Sequence, residues 1–555
     1  MDLAGIVDSA ADQVRAIMER DGIPGVAVAL VSGDAPAWSE CFGVAGCGGS
    51  RPIDPDTIFS LQSTSKTFTA TAVMLAVQEG LLDLDAPITD YLPGFTVHTR
   101  FERDPQRKMT LRHLLSHRAG FTHEAPLGGN FDPELESAAP SFEAHLATIP
   151  DTWLRYPVGQ RYAYSNLGID LAGAILMKAI GAPFAECLRR LVFEPLGMAD
   201  STADAAIYAA RGNRAVGHQP GFEAVPVRIP IEASGGVYSS VADMTRFARF
   251  HLGQGRFEGA AVLGPALWEE MHRPCFDGFP YALGILREAL RFERARAVLF
   301  NHDGGGYGFG SCLTYCPEHR LAWIALFNGQ TRPGPPAPFD DIALSEALSA
   351  KLGPRALAPR RPADKAGQPS QEALAPYVGS YVAGLRFLTL GWEDGAFGFR
   401  ALGDEAQNPL AFTGPDRAFV SGGPREGLGV RLHPRSGAQP AWVQFEAEDV
   451  DPAFAFLLGA PLDLNEGEGE PPGAIGDAYD RFLGDYRIVQ WGVAVMTVSL
   501  TKARGSLWLG ALRLVEHAPG LLFSADGELL DLTREPPAFR NIPLSRVETG
   551  GGPGP

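Results

Sequence analysis

The stretch Phe59-Ser60-Leu61-Gln62-Ser63-Thr64-Ser65-Lys66-Thr67-Phe68 puts a serine-rich turn at the head of a largely apolar run through Ala70, Val73, Met74, Leu75 and Val77. That spacing predicts a core helix ending near Gly80, a residue suited to the left-handed position after a helix terminus. Ser63 and Lys66 stand three apart, so on a helix their side chains share a face and can meet. A lysine carried into the apolar start of a core helix is desolvated, which disfavours its charged form. A neutral amine beside a hydroxyl can take its proton, the logic of a serine–lysine nucleophile. The same residues also read as a capping serine followed by a solvated lysine, and the pattern alone does not separate the two.

At 555 residues the chain exceeds one compact core, and roughly two to four domains are expected. An apolar fraction of 45% with 20% charged residues is that of an ordinary globular protein. The net charge of −18, without a basic run, argues against a nucleic-acid footprint and against attraction to anionic membranes. The first ten residues lack a basic start followed by an apolar run, so no secretory signal is read. The best apolar run, Leu321 to Phe327, suits a buried strand and is too short to span a bilayer. Six cysteines without a Cys-x-x-Cys spacing suggest neither a zinc knuckle nor a disulfide scaffold, and a cytoplasmic protein with reduced thiols is the expectation.

Taken in order, Val7 to Arg20 has helical spacing, Gly25 to Val31 reads as a strand, and Ala37 to Gly46 as its hairpin partner. Leu111 to Gly120 reads as a helix with a glycine stop, Leu167 to Gly181 as the best helix of a helical interval, and Ser239 to Gln254 as a helix capped by Ser240. Strand patterns return at Val298–Phe300, Ser311–Tyr315 and Arg320–Phe327. Strands thus begin and end this region with helices between and outside, a layered helix-and-sheet design. After a closing helix at Ile342 to Lys351, residues 353–370 are rich in Pro, Arg and Ala, and 465–473 are acidic and breaker-rich; both read as linkers. Each is followed by a similar phrase, Tyr377-Val-Gly-Ser-Tyr381 and Phe482-Leu-Gly-Asp-Tyr486, and then by short alternating strands. The expected domains are therefore 1–352, 371–464 and 474–555, the last two small all-β modules.

Two further signals carry chemistry. In Tyr162-Ala-Tyr164-Ser165-Asn166 the side chains of Tyr164 and Asn166 fall on one side of an extended loop. A phenol can relay a proton and an asparagine can bind an amide with both ends, although for this stretch taken alone a packed tyrosine and a capping asparagine are the preferred reading. Asn301-His302-Asp303-Gly304-Gly305-Gly306 precedes a strand, and its glycines permit close approach by a ligand; the alternative is a tight turn with an exposed histidine.

Together, Ser63-Thr-Ser-Lys66, Tyr164-Ser-Asn166 and His302-Asp-Gly304 resemble the three motifs of the penicillin-recognising serine hydrolases, a family that includes class C β-lactamases, penicillin-binding carboxypeptidases, esterases and D-aminopeptidases. The likeness covers roughly residues 1 to 350, with supporting phrases at Leu111 to Gly120 and Ala233 to Ser240. It implies an α/β fold: an antiparallel sheet flanked by helices with an all-helical subdomain, followed here by two small β-barrel-like domains. One departure is informative. Where lactamases carry lysine this chain has His302, as in the D-aminopeptidase-like branch, and a histidine is only partly charged at neutral pH.

By this resemblance Ser63 is the nucleophile, Lys66 its base directly or through Tyr164, and Tyr164 the proton shuttle to the leaving group. The oxyanion would sit between the N–H groups of Ser63 and Gly305, Asn166 and Gly304 would contact substrate, and His302 would line the site opposite. No metal or organic cofactor is called for, and a homo-oligomer is compatible with the reading. The implied function is a peptidase or amidase on short peptides or aminoacyl amides, with D-specificity in scope. An esterase or weak β-lactamase is the alternative, and a penicillin-binding sensor without turnover the reading from another class. His113 and His117, four apart, could form a metal pair, but no third ligand stands nearby and helix packing is the preferred reading. His123-Glu124 lacks the second histidine of a zinc protease, and no Gly-x-Ser-x-Gly elbow occurs.

Overall fold

The computed structural model describes residues 3–355 apart from 34–37, 47–50, 130–138, 220–225, 277–279, 330–338 and 340–341, and most of 367–547. Linker 465–473 and most of linker 353–370 lie outside the described residues. Met1–Arg355 falls within one compact unit, and most of the chain beyond it within a second.

In the first unit β1 (Gly25–Ser32) and β2 (Trp38–Gly43) form the expected hairpin, while β3 (Leu286–Arg291), β4 (Arg296–Gly306), β5 (Phe309–Cys316) and β6 (Leu321–Phe327) come from far along the chain. They assemble in the order β2-β1-β6-β5-β4-β3, every neighbouring pair antiparallel. β1 and β6 are buried on both faces, so their near-continuous apolar runs sort by alternation. Ala27, Ala29, Val31, Ala322, Ile324 and Leu326 enter one core. Val26, Val28, Leu30, Leu321, Trp323 and Ala325 enter a second, closed by the helices α1 (Leu3–Asp21) and α5 (Ile342–Leu352). The sheet is thus a middle layer between two helical ones.

The larger core holds α2 (Ser65–Gln78), every residue of which from Ser65 to Ala76 is buried. Around it stand α3 (Asn166–Ile180) and α4 (Val241–Leu252); Phe68 of α2 stacks on Phe247 of α4 with ring centroids 3.9 Å apart. Ser240 caps α4 as expected, its Oγ accepting from Asp243 N at 3.2 Å. One expectation fails in length. The helix at Leu111 stops at Leu115, because His117 turns into the left-handed region at φ +56° well before Gly120.

The second unit contains two closed antiparallel barrels of eight strands, Gly379 to Leu462 and Gly484 to Arg546. The repeated phrase has a structural cause. In both copies a 3₁₀ turn, Ala375–Tyr377 or Asp477–Phe482, hands the chain to the first barrel strand through a glycine, Gly379 at φ +150° or Gly484 at φ +142°. The five described cysteines are free thiols, Cys312 and Cys316 buried on β5. Among the described residues no single helix is long and apolar enough to cross a membrane.

Candidate active site

Ser63 lies on a 3₁₀ turn, Gln62–Thr64, that runs directly into α2, so it precedes the helix it was expected to open. The turn is bent by Gln62, a buried non-glycine residue at φ +50°, a conformation that costs of order 1 kcal/mol and marks a site held by its surroundings. The neighbours that hold it come from the sheet. Ser311 Oγ of β5 donates to the Leu61 carbonyl at 2.7 Å, and Thr64 Oγ1 donates to the His302 carbonyl of β4 at 3.1 Å. Gly304 of β4 passes so near that a Cβ there would lie 2.1 Å from the Leu61 oxygen. The glycine run is therefore part of a strand, not a turn: β4 carries Gly304, Gly305 and Gly306 alongside the turn that presents Ser63.

Lys66 has no exposed surface. Its Nζ donates to Ser63 Oγ at 3.0 Å and to the Ser234 carbonyl at 2.8 Å, which settles the choice between a solvated lysine and one facing the serine. Ser63 and Tyr164 remain partly exposed. Nζ stands 5.0 Å from the centroid of the Tyr164 ring, and that ring lies 6.4 Å from the ring of His302. The three segments expected to carry chemistry, far apart along the chain, are thus gathered around one hydroxyl.

His302 is buried, with Nδ1 2.8 Å from the Asp303 carbonyl and Nε2 2.9 Å from the Tyr281 hydroxyl. Burial, reinforced by the charge of Lys66, pushes its pKa down to about 3 against a weaker opposing pull from the Asp303 carbonyl. It is a neutral imidazole at ordinary pH, less charged than the sequence suggested.

Three residues that sequence reasoning passed over shape the site. His117, read as helix packing, brackets Tyr164: its carbonyl accepts from Ala163 N at 2.8 Å, its Nδ1 accepts from Ser165 N at 3.2 Å, and its ring lies 4.4 Å from the tyrosine ring. Glu124, dismissed with the zinc-protease pattern, accepts from Asn166 Nδ2 and from Gly129 N at 3.0 Å, with His123 Nδ1 3.3 Å away. Asp170, one turn into α3 beyond Asn166, accepts from both N and Oγ of Ser234. Only the phrase Leu-Leu-Ser-His, already seen as a family feature, hinted at His117; nothing local marked Asp170.

The arrangement offers a partly exposed hydroxyl, a buried amine touching it, a phenol beside the amine and a backbone strand alongside, the parts needed for attack on a carbonyl and proton transfer to a leaving group. A protein-family model described as Beta-lactamase matches residues 10–347. The chain is 25% identical over 346 residues to a beta-lactamase of Yersinia enterocolitica, spanning 56% of this chain and 84% of that one. It is 28% identical over 376 residues to penicillin-binding protein 4 of Amycolatopsis lactamdurans, spanning 65% and 93%. Among solved structures, the octameric penicillin-binding protein homologue from Pyrococcus abyssi aligns with TM-score 0.53 at 22% identity, covering 80% of this chain and 99% of that one, a likeness of fold. With the family match spanning more than half of its length, the chain belongs to the beta-lactamase family and is a penicillin-recognising serine hydrolase.

Proposed function

We propose that this hydrolase is a peptidase or amidase acting through an acyl-enzyme on short peptides or aminoacyl amides, D-aminoacyl substrates among them. Ser63 Oγ attacks the carbonyl as Lys66 accepts the hydroxyl proton directly or by way of Tyr164. Collapse of the tetrahedral intermediate breaks the C–N bond, and Tyr164 passes a proton to the departing amine. Water then adds to the ester and releases the acid and the serine. The backbone N–H groups of Ser63 and Gly305 stabilise the oxyanion, donors commonly worth about 2.7–4 kcal/mol each. Asn166 and the Gly304 strand hold the substrate, and His302 lines the opposite side.

The observation that carries amide over lactam is the state of His302. Where lactamase members have a permanent ammonium, this site has an uncharged imidazole bound to Tyr281, which offers a substrate carboxylate no fixed charge. The test is a panel of D- and L-aminoacyl amides, p-nitrophenyl esters and a chromogenic lactam, run on wild type and Ser63→Ala. Amide turnover that disappears in S63A supports the reading. Turnover of the esters or the lactam alone rejects it in favour of an esterase or weak β-lactamase, and a stable adduct without turnover points to a sensor.

A further inference from the structure

The two ends of the Asn166 side-chain amide are treated differently by the fold. Nδ2 donates to Glu124 Oε1, whereas Oδ1 finds no partner among the described residues, although Asn166 is only 3% exposed. An asparagine amide can be turned end for end, and its neighbours decide which way it lies. A carboxylate only accepts, so Glu124 compels the NH₂ end to face it. Burial, the largest influence on Glu124, raises its pKa, but His123, the Gly129 N–H and nearby His145 together outweigh it and hold the carboxyl below its ordinary value. The same contacts keep it in place: Glu124 is 1% exposed, with Oε2 tied to Gly129 N and Oε1 beside His123.

Asn166 springs from the face of α3 that looks toward the catalytic residues. Asn166 is one helical turn from Asp170 and shares its face, and Asp170 holds Ser234, whose carbonyl takes the Lys66 amine. A buried acceptor there lacks one N–H donor.

We propose that Glu124 sets acyl-side specificity: by fixing Asn166 with its carbonyl oxygen toward the catalytic residues, it selects acyl groups that carry an N–H donor beside the reacting carbonyl, aminoacyl or acylaminoacyl groups over plain acyl chains. The inference rests on the acyl-enzyme reading above and narrows its substrate. Glu124 acts here as a positioning residue, through Asn166.

The experiment compares D- and L-alanyl, N-acetylalanyl and propionyl groups, each as p-nitroanilide and p-nitrophenyl ester, on wild type and Glu124→Gln. Rates are divided by uncatalysed hydrolysis and by active sites titrated with a fluorophosphonate, and folding is followed by circular dichroism. Wild type is expected to favour the donor-bearing groups in kcat/KM by roughly tenfold or more, the scale of an unsatisfied buried acceptor. Because glutamine can donate as well as accept, E124Q frees Asn166 to turn, and the preference is expected to shrink to within about threefold of unity. Equal use of propionyl by wild type, or an unchanged preference in a folded E124Q, overturns the proposal. If E124Q does not fold, Glu124→Met, which removes the acceptor that fixes Asn166, takes its place with the same expected and overturning results. If only the esters turn over, the amidase reading fails while the acyl preference is still read from the esters.

Discussion

Asp170 is bonded twice to Ser234: Oδ1 accepts from the serine N–H at 2.9 Å and Oδ2 from its Oγ at 3.0 Å, while the carbonyl of that serine accepts the Lys66 amine at 2.8 Å. His145 stands beneath, Nε2 3.0 Å from Asp170 Oδ2 and Nδ1 2.7 Å from the Leu127 carbonyl, with neither Asp170 nor His145 exposed. The carbonyl that takes the Lys66 amine is therefore anchored by a buried carboxylate–imidazole pair. Asp170→Asn removes the carboxylate charge that faces the buried His145 ring. The variant is expected to lose about 3–5 kcal/mol of stability in urea melts, the range for breaking a buried pair. In the fraction that folds, kcat is expected to drop at least about tenfold with little change in KM. Wild-type kcat in a folded D170N would mean that Lys66 needs no such anchor.

Acid should destabilise the protein through its buried histidines. Burial, the main cause in each case, lowers His302 and His272 to about 3 and His117 and His251 well below the ordinary 6.5. Between pH 6.5 and those folded values the unfolded chain binds more protons, so stability falls as pH falls, by about 1.4 kcal/mol per pH unit for each histidine involved. His145 has the opposite sign. Burial lowers it, but the hydrogen bond and charge of Asp170 prevail and raise it, so its contribution is complete below 6.5 and fades as pH rises through the folded value. Urea midpoints measured from pH 7 to pH 5 should decline steadily; a flat profile would contradict the burial of these rings.

Replacing His117 should harm chemistry more than binding. It holds the backbone on either side of Tyr164 and packs on both Tyr164 and Tyr281. His117→Gly suits the φ of +56° yet removes the ring, so the chain path survives while the phenol loosens. The expected result is kcat lower by about 10- to 100-fold with KM changed much less, a split that a purely structural residue would not produce.

Gly304→Ala tests the contact between the strand and the Ser63 turn. The added Cβ would meet the Leu61 oxygen at 2.1 Å and Ser311 Oγ at 2.5 Å, so β4 must retreat from the turn that bears Ser63. A displacement of this kind is expected to lower kcat/KM by about 100-fold while stability falls by about 1–3 kcal/mol, read from steady-state rates and melts of the same preparation.

Local chemistry was enough to determine a good deal of this protein. The apolar positions of α2, the Ser240 cap, the alternating barrel strands and the paired glycines at 379 and 484 depend on neighbours a few residues away, and such signals are written in short spans. The motifs around Ser63, Tyr164 and His302 were legible for the same reason. What joins them was not. Whether Lys66 faces water or Ser63, how the His302 ring is held, and which way the Asn166 amide lies depend on Ser234, Tyr281 and Glu124, partners 168, 21 and 42 residues away. Sequence proximity places no constraint on such pairs; burial in a shared low-dielectric site does, and only the tertiary structure creates that site.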